Sequence, residues 1–215
     1  MAKQTASKKQ IAYERIKELI LNNELKAGDP IVERTICETL GISRTPIRAA
    51  FVELSKEGLV DIVPGRGVFV SRIRFEDMIE VYDIREALEC MSVKLLTERI
   101  TPEELAHLNQ ITERMKHLTG SQFMNLDMEL HTTMALYSKN KRLAHNISLI
   151  YSPIRLMAAT AQNDPLLCTT ALQEHLEILQ AVTNRDVEGA VDAMRRHIQS
   201  VKEYHIKRYF LFSSP

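Results

Sequence analysis

Apolar residues recur at two different periods along this chain, and the change falls near residue 72. Ile11, Ile16, Leu19 and Ile20 lie at helical spacing and predict a first helix over Gln10–Asn22, behind a polar, basic tail of residues 1–9 that is expected to be mobile. Gly28-Asp29-Pro30 breaks the pattern, and Val32–Leu40 predicts a short second helix. After a turn at Gly41, Ile47, Ala50, Phe51 and Leu54 predict a third. Ser43 and Thr45 suit its cap, Pro46 its first turn, and Gly58 its end. Leu59, Val60, Ile62 and Val63 then read as a strand, and Val68, Phe69 and Val70 as its partner across Pro64-Gly65-Arg66-Gly67. Helices followed by such a hairpin are the order of a winged helix-turn-helix.

Beyond residue 72 strand-like alternation stops, and only Gly120 and Gly189 remain of the glycines. Helical spacing predicts six helices, at about 75–98, 102–118, 121–137, 140–161, 166–183 and 187–211. Thr101-Pro102-Glu103-Glu104 is a capped start, Thr119-Gly120-Ser121 stops one helix and caps the next, and Asn163-Asp164-Pro165 and Asn184-Arg185-Asp186 are turns. Pro153 should kink the fourth of these helices. The expected fold is mainly α: a winged helix-turn-helix over 1–72, a short linker near Ser71–Phe75, and an antiparallel helical bundle over 73–215.

Charge supports this division. The net charge is zero, but residues 1–72 carry 12 Lys+Arg against 9 Asp+Glu, and residues 73–215 carry 16 against 19. A basic reading head and an acidic second domain fit that asymmetry. Cys37, Cys90 and Cys168 are widely spaced with no CxxC, which argues for a reducing, cytoplasmic setting. No apolar run resembles a signal peptide or a membrane span.

Two sets of residues carry chemistry. Arg44 and Arg48 are four apart on one face of the third helix, with Thr45 between them. A helix start so equipped can enter the major groove, where Arg reads guanine. Arg66 at the hairpin tip suits a phosphate or the minor groove. In the bundle, Asp127 and His131 adjoin one apolar stripe (Phe123, Leu126, Leu130, Met134, Tyr137). His175 lies within a second (Leu172, Leu176, Leu179, Val182), and His197 within a third (Val187, Ala190, Val191, Met194, Ile198, Val201). A buried carboxylate needs a cation or several donors. Either Asp127 pairs with a protonated His in a polar core, or the four hold one divalent metal such as Zn, Ni, Fe or Mn. His107, His117 and His145 suit the surface or rim, and His205 suits the core.

The first segment resembles the DNA-binding domain of the GntR family of bacterial transcription regulators. The residues that carry the likeness are Ala27-Gly28-Asp29, Glu33-Arg34, Leu40 to Arg48, Leu54, Glu57-Gly58-Leu59 and Gly65-Arg66-Gly67. That resemblance implies DNA contacts for Arg34, Arg44, Thr45, Arg48 and Gly67. Ala49 departs from it, where the family usually has Glu. Residues 75–205 are similar to the FCD domain of the FadR-type branch. Tyr82 to Glu89, Leu126-Asp127 with His131, Asn140 with Arg142-Leu143, Glu174-His175 with Ile178-Leu179 and Ala181, Asp186 with Glu188 and Ala190, and Ala193-Met194 with His197-Ile198 carry it. Leu130 replaces a common Phe, and a count of six helices points to the smaller, VanR-like members.

The resemblance implies a metal at Asp127, His131, His175 and His197, and a place in the effector pocket for Arg85. The expected protein is a cytoplasmic regulator, most simply a repressor, acting as a homodimer on a palindromic operator. It would hold one divalent metal per chain and answer to a small carboxylate. The rivals are a mononuclear metalloenzyme fused to a DNA-binding head and a regulator whose metal is structural. A ferritin-like di-iron site is excluded, because Glu104-x-x-His107 is the only Glu-x-x-His pair.

Overall fold

A computed structural model of the chain describes residues 7–72, 74–159 and 164–213. The chain divides between Arg72 and Arg74 into two compact units. The first contains α1 (Lys8–Leu21), β1 (Pro30–Ile31), α2 (Glu33–Leu40), α3 (Arg44–Lys56), β2 (Val60–Val63) and β3 (Gly67–Val70). Ser7 caps α1 through its hydroxyl, so Lys8 and Lys9 of the expected tail are helical. That start also corrects the buried face. Ala12, Ile16 and Ile20, four apart, pack inside, while Ile11 is exposed. α1 packs on α3, whose Ile47, Ala50, Phe51 and Leu54 are buried.

Gly41, in the left-handed region at φ 63°, turns α2 into α3. Ser43 takes the N-cap backbone of α3 without a side-chain bond, so Thr45 lies inside the first turn rather than at the cap. β2 and β3 form the expected antiparallel hairpin, with Val63 opposite Gly67. β1 is a strand where Gly28-Asp29-Pro30 predicts only a break. Pro30 and Ile31 pair antiparallel with Phe69 and Val68, giving the order β1-β3-β2. Proline is tolerated there because β1 is an edge strand. Of the stretch read as a linker, Ser71 belongs to this unit. Its N–H donates to Leu59 O and its hydroxyl to Asp61 Oδ1.

The second unit is a bundle of α4 (Phe75–Arg99), α5 (Pro102–Met115), α6 (Gly120–Tyr137), α7 (Lys141–Ala159), α8 (Pro165–Thr183) and α9 (Val187–Ser213). Residues 160–161 of the expected fourth helix, and Asn163 of the following turn, lie outside the described residues. α4 runs along α9, α7 and α6, and α8 along α9. Thr101 and Glu104 form a reciprocal capping box on α5. Asp164 accepts from the N–H groups of Leu166 and Leu167 to open α8. Arg185 donates to Thr97 O and Ile100 O, satisfying carbonyls at the end of α4. α7 continues through Pro153.

The buried face of α8 is turned from the expected one. Ala171, His175, Ile178 and Leu179 are inside, while Leu172 and Leu176 are half-buried. Likewise Ala190, Ala193, Met194, His197 and Ile198 are the buried face of α9. In both helices the histidine lies within the buried face, as its place in the stripe predicts. His107, His117 and His145 are exposed, and His205 is buried.

Candidate metal centre and DNA-reading helix

In the bundle, α6, α8 and α9 bring Asp127, His131, His175 and His197 together. Each offers one ligand atom, and these atoms lie within 4.8 Å of one another. His131 Nε2 is 3.1 Å from His175 Nε2, and Asp127 Oδ1 is 3.3 Å from His175 Nε2 and 3.9 Å from His131 Nε2. Ligands at about 2.0–2.1 Å from a common ion stand roughly 3 Å apart, so the spacing fits one metal.

The imidazoles are oriented from behind. His131 Nδ1 faces the carboxylate of Glu89, and His197 Nδ1 lies 2.8 Å from Glu174 Oε2. A carboxylate holds the proton on Nδ1 and leaves the Nε2 lone pair for the centre, as behind metal-ligating histidines generally. His197 Nε2 is buried and without a hydrogen-bond partner, as is His175 Nδ1. Burial, then the neighbouring imidazoles and Arg85, hold the pKa of His175 and His197 well below the ordinary histidine value. Both rings are thus neutral and able to donate a lone pair. Burial pushes the carboxyl of Asp127 up, against the pull of His131 and Arg85. A cation between these four groups would relieve that cost.

Arg85 is on this site but already engaged. Its Nε donates to Glu89 Oε1 at 2.7 Å, and both side chains are almost wholly buried. Its Nη2 lies 3.3 Å from His131 Nε2 and from Tyr151 Oη. The Tyr151 hydroxyl donates to Glu89 Oε1 at 2.9 Å. Burial would raise the Glu89 carboxyl, but His131 and Arg85 overcome it and hold the group ionised. A cavity beside the cluster is lined by Tyr82, Arg85, Phe123, Asp127, His197 and His205, among others. Burial, then Arg85 and Arg208, holds His205 neutral, with a pKa lowered to about 4.

Glu89 and Tyr151 were missed as site residues in the sequence. The signal for Glu89 was present: Met78, Tyr82, Arg85, Glu89, Val93 and Leu96 continue one buried stripe of α4. Two charges of opposite sign, four apart in an apolar stripe, are a buried pair in sequence form. No comparable signal marks Tyr151.

In the first unit, Arg34, Arg44, Thr45 and Arg48 are exposed on α2 and α3. Arg44 and Arg48 both reach Glu33, while Arg34 faces Glu38 at 3.6 Å. Arg66 and Gly67 are exposed at the hairpin tip. Gly67 sits at φ 111°, where a side chain would be strained.

Comparison with known proteins bears on both units. Residues 8–70 match the family described as bacterial regulatory proteins, gntR family, and residues 80–200 match the FCD domain. A Streptomyces ambofaciens HTH-type transcriptional regulator in an unstable DNA locus is 28% identical over 191 residues, 88% of this chain and 81% of that protein. The Escherichia coli HTH-type transcriptional repressor RspR is 27% identical over 201 residues, 89% of this chain and 86% of its own. Escherichia coli McbR/YncC superposes with a TM-score of 0.83 over 95% of this chain and 100% of that one, at 22% identity, which speaks for the fold. Among the described residues no helix is long and apolar enough to cross a membrane. With a helix-turn-helix head that presents arginines and a bundle that gathers three histidines and an aspartate, the chain belongs to the GntR family of DNA-binding transcriptional regulators and carries an FCD effector-binding domain.

Proposed function

We propose that this regulator is a homodimeric repressor whose bundle holds one divalent transition metal at Asp127, His131, His175 and His197. A small organic acid then binds at the metal beside Arg85 and changes operator affinity. The observation that carries this reading is the convergence of four ligand atoms, two of them on imidazoles oriented by Glu89 and Glu174. The polar-core alternative puts a protonated histidine beside Asp127; burial holds His175 and His197 neutral and Arg85 is bonded to Glu89, which leaves that role to His131 alone, 3.9 Å away. The relative named a repressor favours repression. Ile84 and Met91, seven apart on α4, are 52% and 47% exposed, an apolar stripe that a second copy would cover. In a dimer, the recognition helices must match half-sites set by the DNA repeat, and so the operator is palindromic.

A ligand moves an equilibrium only by its preference for one state over another. The acid is therefore expected to change operator affinity by about 1–3 kcal/mol, and operator DNA to change the acid's affinity by the same factor. A metabolite screen by thermal stabilisation would supply the acid, and calorimetry with and without operator would measure the coupling. Equal affinities in the two titrations would sink the switch. A response that survives removal of the metal would make the metal structural.

In the head, Arg34, Arg44, Thr45, Arg48, Arg66 and Gly67 form the proposed DNA contacts. Arg48→Ala is expected to weaken specific binding by about 1–3 kcal/mol. Operator titration at fixed salt checks this, and unchanged affinity in a folded variant would remove Arg48 from the base contacts.

A further inference from the structure

Glu33 opens α2 and meets both arginines of the reading helix. Its Oε2 accepts from Arg48 Nε at 2.7 Å, and its Oε1 lies 3.6 Å from Arg44 Nε. One carboxylate thus spans two guanidiniums a helical turn apart on α3. The glutamate side chain is 26% exposed, against 70% and 67% for Arg44 and Arg48, so the anchor is the sheltered partner.

A guanidinium carries five N–H donors in a planar fork. A bond through Nε sets the plane of that fork and leaves both Nη groups for another partner. Two donors in one plane are what guanine O6 and N7 accept. Surface ion pairs of this kind add little to stability. A negative charge on a face that approaches phosphates also opposes sequence-independent binding. Neither the stability of the ion pairs nor general attraction to DNA accounts for a glutamate that meets both arginines.

We infer that Glu33 is a positioning residue that sets sequence discrimination: it aims Arg48, and with it Arg44, at base edges while weakening non-specific binding. The inference rests on Arg48 being a base-reading residue. The competing role is local. Glu33 is the first residue of α2, where an acidic side chain favours the helix start.

Three substitutions separate these roles. Glu33→Gln keeps the length and removes the charge. Glu33→Asp keeps the charge and the helix start but shortens the reach to Arg48. Arg48→Ala removes the group being aimed. The probe is a duplex enriched from a randomised pool by the full wild-type chain, beside a scrambled duplex of equal length, titrated at one salt concentration. Thermal melts check that each variant is folded.

Glu33→Gln and Glu33→Asp are each expected to lower the ratio of selected to scrambled affinity about tenfold, with Glu33→Gln binding the scrambled duplex as tightly as wild type or more so. In the Arg48→Ala background, Glu33→Gln should lower the ratio much less, through its weaker contact to Arg44 alone. A wild-type ratio in Glu33→Asp would assign the residue to the helix start instead. An equal change on both duplexes in Glu33→Gln, or an undiminished effect in the Arg48→Ala background, would overturn the inference. An unchanged ratio in Arg48→Ala alone would remove the base reader and the inference with it.

Discussion

Replacing Glu89 with Ala is expected to cost about 3–5 kcal/mol of stability, because it leaves a buried guanidinium uncompensated. Arg85 is fully enclosed between the rings of Tyr82 and Tyr151, with Glu89 bonded to its Nε. The same carboxylate accepts from Tyr151 and faces His131 Nδ1, so its removal orphans three groups at once. Glu89→Gln separates the two jobs of the residue. The amide still accepts from Arg85 but no longer fixes the proton on His131 Nδ1 as an ionised carboxylate does. It should be milder in stability while lowering metal affinity about 10–100-fold, the usual effect of losing a carboxylate behind a ligating imidazole. Denaturant unfolding of both variants, with competition against a chelator of known affinity, reads the two effects. A Glu89→Ala cost below about 1 kcal/mol would mean that water or a rearranged partner compensates Arg85, a surface-like outcome for the pair.

Protein prepared without chelator should carry about one divalent ion per chain, as a single four-ligand site requires. Stripping that ion should lower stability on the order of 4 kcal/mol at free metal a thousandfold above its Kd, or roughly 10 °C in Tm. The reason lies in the four groups themselves. Without a cation, burial opposes charging Asp127, His175 or His197, and two imidazole nitrogens, His131 Nε2 and His175 Nε2, are held 3.1 Å apart. His175→Ala should lose metal and Tm together and show no further loss on adding chelator. Elemental analysis finding no metal, with the same melting temperature in chelator, would return the cluster to a polar core.

Much of this molecule is local and therefore legible. Helix starts are written in single residues, such as Thr101 with Glu104 and Asp164 before Pro165. The hairpin is written in its alternation and its glycine-bearing turn. β1 was not legible, because a two-residue edge strand has no period and its Pro30 reads as a breaker. Ile11 was misplaced because helical spacing defines a stripe only once the helix start and the packing partner are known. The same ambiguity turned α8, whose Leu172 and Leu176 lie at helical spacing but beside the buried face.

By itself, then, the sequence determined the helices, the hairpin and the inward direction of Asp127, His131, His175 and His197, because each depends on spacing within one element. Only the tertiary structure decided what those inward groups meet. Ligand atoms from α6, α8 and α9 share one centre because three helices pack with those faces together. Glu89 from α4 and Glu174 from α8 set the proton positions on His131 and His197, and the Tyr151 hydroxyl reaches Glu89 across 62 residues of chain. In the head, the arginines are legible as a pair on α3, but their common anchor Glu33 is a contact between two helices. Periodicity fixes direction along an element, whereas a pairing between elements depends on their packing, which no single stretch of sequence encodes.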